Sequence, residues 1–156
     1  MNQPEILIVG AGGMGALFGS ILHENGLKVV LYDTNTEHIR AIQQAGLKIE
    51  GYGGDRTIPI AATSNLSELE SAEIIIFQCK SHGTRQASKA VKPLITQKSV
   101  CISFQNGLGN EEVMAEELGN DFVMGGLTAM AGVLLEPGKI RDFSRVPSHI
   151  GEMRGG

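Results

Sequence analysis

Lys80 and Asn106 each stand just past an apolar run. Lys80 follows Ile74-Ile75-Ile76-Phe77, and Asn106 follows Val100-Cys101-Ile102-Ser103-Phe104. If both runs are parallel strands, the two side chains share the carboxyl edge of one sheet, where α/β proteins gather their functional groups. An ammonium at Lys80 could hold a phosphate or a substrate carboxylate, or polarise a carbonyl. The plainer alternative is a solvated lysine leading a helix. The Asn106 amide could bond a ribose hydroxyl or a substrate keto oxygen, or be a turn residue tolerated before Gly107. His82 offers an acid–base group, against the plainer reading of a helix-start residue. His23, His38 and His149 show no spacing with carboxylates or cysteines that would make a metal site, so no metal is expected.

What these groups would act on is read from residues 6–33. Ile6-Leu7-Ile8-Val9 suits a buried parallel strand, and Gly10-Ala11-Gly12-Gly13-Met14-Gly15 follows without a break. In such a pattern Gly10 permits a tight turn, Gly12 lets the backbone approach a pyrophosphate, and Gly15 lets the helix pack hard on the strand. Leu17, Phe18, Ile21 and Leu22 recur at helical spacing, so the loop opens onto a helix N-terminus whose free N–H groups and dipole favour an anion. Val29-Val30-Leu31-Tyr32 then ends in Asp33, near the roughly 20-residue offset of a ribose-binding acid. Together these features imply a dinucleotide site built by Gly10, Ala11, Gly12, Gly13, Met14, Gly15 and Asp33. The alternative is a glycine turn used only for packing. A carboxylate at Asp33 accepts bonds from a ribose 2′-hydroxyl and repels a 2′-phosphate, which favours NAD(H). Thr34 and Asn35 could bond a 2′-phosphate and Arg40 could neutralise it, so NADP(H) stays open.

The elements that must position these residues alternate along the chain. Strands are expected at about Glu5 to Gly10, Lys28 to Asp33, Ile74 to Phe77 and Val100 to Phe104, with another at Phe122-Val123-Met124. Helices are expected at about Gly13 to Asn25, Thr84 to Val91 and Glu111 to Leu118. One more is capped by Thr34 or Asn35, faces Ile39, Ile42 and Ala45 inward, and stops at Gly46. Leu47 to Ile49 and Thr57 to Ala61 read as two short strands around a glycine turn, and Ser67 to Glu70 as a polar helical turn. Gly125-Gly126 should let the chain bend. From Thr128 the pattern turns to β, with a turn at Glu136-Pro137-Gly138 and strands near Lys139 to Phe143 and Ser148 to Gly151. The expectation is an α/β, Rossmann-type doubly wound, mostly parallel sheet with a short β extension at the C-terminus. Residues 1–156 would form a single NAD(P)-binding domain, with no helical second domain.

Bulk properties narrow the function classes. The chain has 156 residues, 42% hydrophobic and 19% charged, which suits one globular domain. A net charge of −4 without a basic cluster argues against nucleic-acid binding, and Arg154-Gly155-Gly156 is too short to read as an RNA-binding repeat. No secretory segment and no run approaching a membrane span is evident. Cys79 and Cys101 are isolated and suggest buried thiols in a reducing compartment. A cytoplasmic protein without membrane partners is the expectation.

With Lys80 and Asn106 added to the glycine loop, the sequence resembles the nucleotide-binding half of the ketopantoate reductase (2-dehydropantoate 2-reductase) family. The resemblance is carried by Gly10 to Gly15, by Cys79-Lys80-Ser81, by Gln105-Asn106-Gly107-Leu108-Gly109-Asn110-Glu111 and by Ser148-His149-Ile150-Gly151-Glu152. It covers essentially the whole chain. It implies that the loop holds a coenzyme pyrophosphate, that Lys80 secures coenzyme and lines the active site, and that Asn106 contacts coenzyme and substrate. Ala131 would match a further coenzyme contact. The implied reaction is hydride transfer to the 2-keto group of ketopantoate, a step towards pantothenate. The family usually takes NADPH with a basic residue near the end of strand two, where this chain has Asp33-Thr34. Its proton-donating lysine, much of its substrate pocket and any homodimer contact would lie in a helical C-terminal domain. These residues are therefore expected to belong to a longer enzyme, or to a domain whose catalytic partner is separate, and to be inactive alone. Rival readings are a reductase of another 2-keto acid and a stand-alone nucleotide-sensing domain of the potassium-transport type.

Overall fold

The computed structural model describes residues 3–153; Met1, Asn2 and the Arg154-Gly155-Gly156 tripeptide lie outside the described residues. The main sheet starts from β1 (Ile6–Val9), whose four residues are all buried, as a strand covered on both faces must be. On one side β1 pairs in parallel with β2 (Val29–Tyr32), and β2 with β5 (Ala61–Thr63). On the other side it pairs in parallel with β6 (Ile74–Phe77), then β7 (Val100–Ser103) and β8 (Val123–Leu127), and β11 (His149–Glu152) closes that edge antiparallel to β8. The chain thus runs outwards from β1 in both directions. The crevice between the carboxyl ends of β1 and β6 is the topological switch point of the sheet.

Helices α1 (Gly13–Glu24), α2 (Thr36–Ala45), α3 (Thr84–Val91) and α4 (Asn110–Leu118) follow at the expected places. Asn35 is the cap of α2, its side chain accepting the His38 N–H at 3.1 Å. One core cluster gathers Ile8, Leu17, Leu31, Ile39, Ile42 and Ile140; the other, on the opposite face of the sheet, gathers Leu7, Phe77, Val91, Cys101 and Met114. Alternate residues of β1 enter each, as the two-residue period of a strand requires. Ala45 does not face inward but is exposed; α2 buries His38 with Ile39 and Ile42 instead. Among the described residues no helix is long and apolar enough to cross a membrane.

A second sheet, of four strands, differs most from the expectation. The expected strand Thr57 to Ala61 is cut at Pro59 into β4 (Arg56–Ile58) and β5, which belong to different sheets. Proline has no N–H to give a ladder, so the chain changes sheets there. β4 pairs with β3 (Leu47–Gly51), and β3 pairs in parallel with β10 (Lys139–Ser144), which pairs antiparallel with β9 (Ala131–Glu136). The C-terminal β segment therefore feeds both sheets, β9 and β10 one and β11 the other. Gly125-Gly126 makes no bend, since β8 runs through to Leu127. Gly126 makes room instead: a methyl group there would lie 2.6 Å from the Phe104 ring, which stacks on Phe18 of α1 at 4.8 Å.

Candidate functional site

The Gly10–Gly15 loop is shaped by close approach on three sides. Gly10 has φ +97°, and a methyl group on it would meet the Cys79 backbone nitrogen at 2.5 Å, so it needs both a left-handed backbone and no side chain. A methyl on Gly15 would meet the Gly10 carbonyl oxygen at 1.8 Å, and one on Gly13 the Val133 Cα at 2.5 Å. Gly12 is the exception, with nothing within 4 Å of the corresponding position. Gly12 is the N-cap of α1 and offers no side-chain cap, and the first turn of the helix holds no acidic residue. Those N–H groups have no helical partners, and the space before them suits an anion. The residues present therefore fit a coenzyme diphosphate.

Asp33 ends β2 beside this loop. One carboxylate oxygen accepts the Ala11 N–H at 2.8 Å and the other the Asn35 N–H at 2.9 Å. Its charge also reaches its neighbours. Burial first, and then the Asp33 carboxylate, pushes both the Tyr32 phenol and the Cys79 thiol above their usual ranges. Cys101, buried in β7, is pushed up by burial to about 12 and is no nucleophile at neutral pH.

The loops after β6 and β7 are tied together by a polar chain. Gln105 Nε2 donates to the Cys79 carbonyl and to Thr84 Oγ1, both at 2.8 Å; Thr84 donates to Asn110 Oδ1 at 3.0 Å, and Asn110 Nδ2 donates to the Asn106 carbonyl at 3.1 Å. Ser81 Oγ donates to that same carbonyl at 2.9 Å. Thr84 and Asn110 are buried, so each can ill afford to lose a partner. The chain fixes the Asn106 backbone beside the Lys80 segment and leaves both functional side chains exposed.

A cavity of about 540 Å³ occupies the switch point, bringing Gly10, Gly12, Asp33 and Lys80 together with His82. Thr34 and Asn35 line it as well, whereas Arg40 does not. Ala11, Gly13, Met14 and Gly15 do not line it. Asn106 and Ala131, an exposed residue of β9, also lie outside it. Sequence reasoning missed Gln86, Ala87 and Ala90, which line the cavity from α3, and Leu134, which arrives from β9. A helix-period reading of α3 could have flagged the first group. Nothing local marked Leu134, because β9 reaches the site only through the second sheet.

The chain is similar to known proteins along nearly its full length. It is 35% identical over 137 residues to the 2-dehydropantoate 2-reductase of Pyrococcus abyssi, covering 88% of this chain and 44% of that one. It is 31% identical over 141 residues to the enzyme of the same name from Lactococcus lactis, covering 89% and 45%. Among solved structures, the 2-dehydropantoate 2-reductase of Geobacter metallireducens superposes with a TM-score of 0.87 at 28% identity, covering 94% of this chain and 48% of that one. D-mandelate dehydrogenase in complex with NADH and anilino(oxo)acetate superposes with a TM-score of 0.82 at 25% identity, covering 93% and 46%. The chain thus spans about half the length of the relatives it matches. The family model for "Ketopantoate reductase PanE/ApbA" matches residues 6–155. The chain belongs to the ketopantoate reductase PanE/ApbA family.

Proposed function

We propose that these residues are the coenzyme-binding half of a 2-dehydropantoate 2-reductase, a cytoplasmic enzyme that reduces the 2-keto group of ketopantoate. The observation that carries the reading is the open space over Gly12, at the head of a helix and in the mouth of a cavity flanked by Asp33 and Lys80. When bound, a reduced nicotinamide coenzyme supplies the hydride. The amides opening α1 would hold its diphosphate, with Gly10, Ala11, Gly13, Met14 and Gly15 giving the loop its shape. Lys80 would place a positive charge beside the phosphates or the substrate carboxylate, and Asn106 would bond the coenzyme and the keto oxygen. Ala131 is proposed as a further coenzyme contact. The proton-donating group would come from the other half of the enzyme, so residues 1–156 by themselves should turn over nothing measurable.

NADH is the preferred coenzyme in this reading. Asp33 supplies a carboxylate at the end of β2, Arg40 stands outside the cavity, and a structural neighbour was solved with NADH. Calorimetric titration with NADH and NADPH tests this. NADPH should bind about tenfold or more weakly, and Asp33→Ala should narrow the gap. Equal affinities would overturn the coenzyme choice, and no binding of either would overturn the site.

A second reading, reduction of another 2-keto acid, is favoured by the likeness to D-mandelate dehydrogenase, whose complex contains an aryl-bearing oxo acid. Steady-state rates of the two-domain enzyme with ketopantoate and with phenylglyoxylate separate the two. The nucleotide-sensing alternative is without support from the family match.

A further inference from the structure

His38, on α2, is 1% exposed and has both ring nitrogens engaged. Nδ1 accepts the Gly138 N–H at 2.9 Å, so the ring proton resides on Nε2, which donates to the Ala11 carbonyl at 2.8 Å. A neutral imidazole offers one donor and one acceptor, and here the partners dictate which nitrogen is which. Ala11 is held from its other side as well, its N–H given to Asp33. Both peptide planes flanking Ala11 are therefore anchored by side chains. Because a peptide is planar and trans, anchoring the Ala11 carbonyl also sets the direction of the Gly12 N–H. Of the four glycines in the loop, Gly12 alone has open space where a methyl group would lie.

Gly138 belongs to the turn between β9 and β10, so this anchor comes from the four-stranded sheet. The same sheet touches the loop at a second point. A methyl group on Gly132 would lie 2.8 Å from the Gly13 carbonyl oxygen. Two residues further along β9, Leu134 lines the cavity beside His38.

We propose that His38 is a positioning residue for the coenzyme loop, transmitting the hold of the β9–β10 turn to Ala11 through a fixed Nε2–H tautomer and so aiming the Gly12 amide at the coenzyme diphosphate. The proposal rests on the coenzyme reading given above. Two amide variants, differing by one methylene, separate positioning from packing. His38→Gln keeps an amide nitrogen near the Nε2 position and can still donate to Ala11. His38→Asn ends near the Nδ1 position, can accept from Gly138, and leaves the Ala11 carbonyl without its donor. Both remove the ring; a packing role acts on the stability of the fold, with the larger loss in the shorter His38→Asn, and leaves the NADH affinity of the folded chain alike in the two.

Nitrogen-15 NMR of the 156-residue chain should show the Nε2–H tautomer at His38; an Nδ1–H tautomer, read without any variant, would overturn the proposal. The Ala11, Gly12 and Gly13 amide resonances should move in His38→Asn and stay near their wild-type positions in His38→Gln. NADH affinity by calorimetry should fall about tenfold in His38→Asn, the effect of one lost hydrogen bond, and within about threefold in His38→Gln. Equal losses in the two variants, or no loss in either, would sink the positioning role while leaving the coenzyme site standing. If the wild-type chain binds no NADH, the coenzyme reading fails, and the three amide resonances alone decide whether His38 orients the loop.

Discussion

Residues 10–15 and 105–110 both leave strands of one sheet at its carboxyl edge, and they are built in opposite ways. The first loop is crowded by backbone from Cys79, Val133 and its own Gly10, and its Ala11 is held by Asp33 and His38. The second is anchored at its base, by buried Gln105 and Asn110 and by Ser81, which holds the Asn106 carbonyl, while the Asn106 side chain and a fully exposed Leu108 face solvent. The difference follows from what each loop contributes. Binding a diphosphate with backbone amides demands a fixed backbone shape, so the first loop is determined by sterics. Contacting a reacting group with one side chain demands only a correctly placed Cα, so the second loop is determined by the hydrogen bonds beneath it.

That contrast can be broken by substitution. Gly15→Ala should do the most damage, since its methyl would sit on a carbonyl oxygen with no flexible side chain to yield. A loss of about 3 kcal/mol is expected, seen as a fall of roughly 6–12 °C in Tm, and coenzyme binding should go with it. An unchanged Tm would mean that the helix does not pack on the strand as described. Gln105→Leu comes next. It strands the Cys79 carbonyl and removes a partner from Thr84 inside the protein, so about 2 kcal/mol should be lost by urea denaturation. If stability holds, the polar chain does not tie the two loops together.

Asn106→Ala sharpens the comparison rather than breaking it. Its side chain is exposed, so stability should stay within about 0.5 kcal/mol, while NADH affinity falls about three- to tenfold. A stability loss as large as that of Gln105→Leu would show that the second loop depends on this side chain for its shape. Leu108→Ser should change least, with Tm and NADH affinity both at wild-type values. A clear stabilisation or destabilisation would reveal contacts at the loop tip.

Much of the site was legible because its signals are local. The apolar runs before Gly10, Lys80 and Asn106 each mark a buried strand, and the glycines mark the approaches that sterics demand. Asp33 was legible as the acid ending β2, but not its double role: it braces the loop through Ala11 and the start of α2 through Asn35 as well as facing the cavity. Arg40, a turn into α2, was a candidate for neutralising a phosphate on spacing alone, and the helix turns it away from the cavity lining. His38 carried no readable signal, since its partners Ala11 and Gly138 are 27 and 100 residues away.

By itself the sequence determined the strand–helix alternation, the parallel order around the glycine loop and the edge on which functional groups collect. Each of these follows from side-chain periodicity and steric freedom over fewer than about twenty residues. Only the tertiary structure decided the four-stranded sheet, in which Lys48 lies opposite Lys139, and the splitting of residues 56–63 between two sheets. Pairing between distant strands leaves no period in either segment. It depends on which buried surfaces and which unpaired backbone groups meet once the rest of the chain has folded, and that same meeting puts Gly138 against His38 and Leu134 at the rim of the cavity.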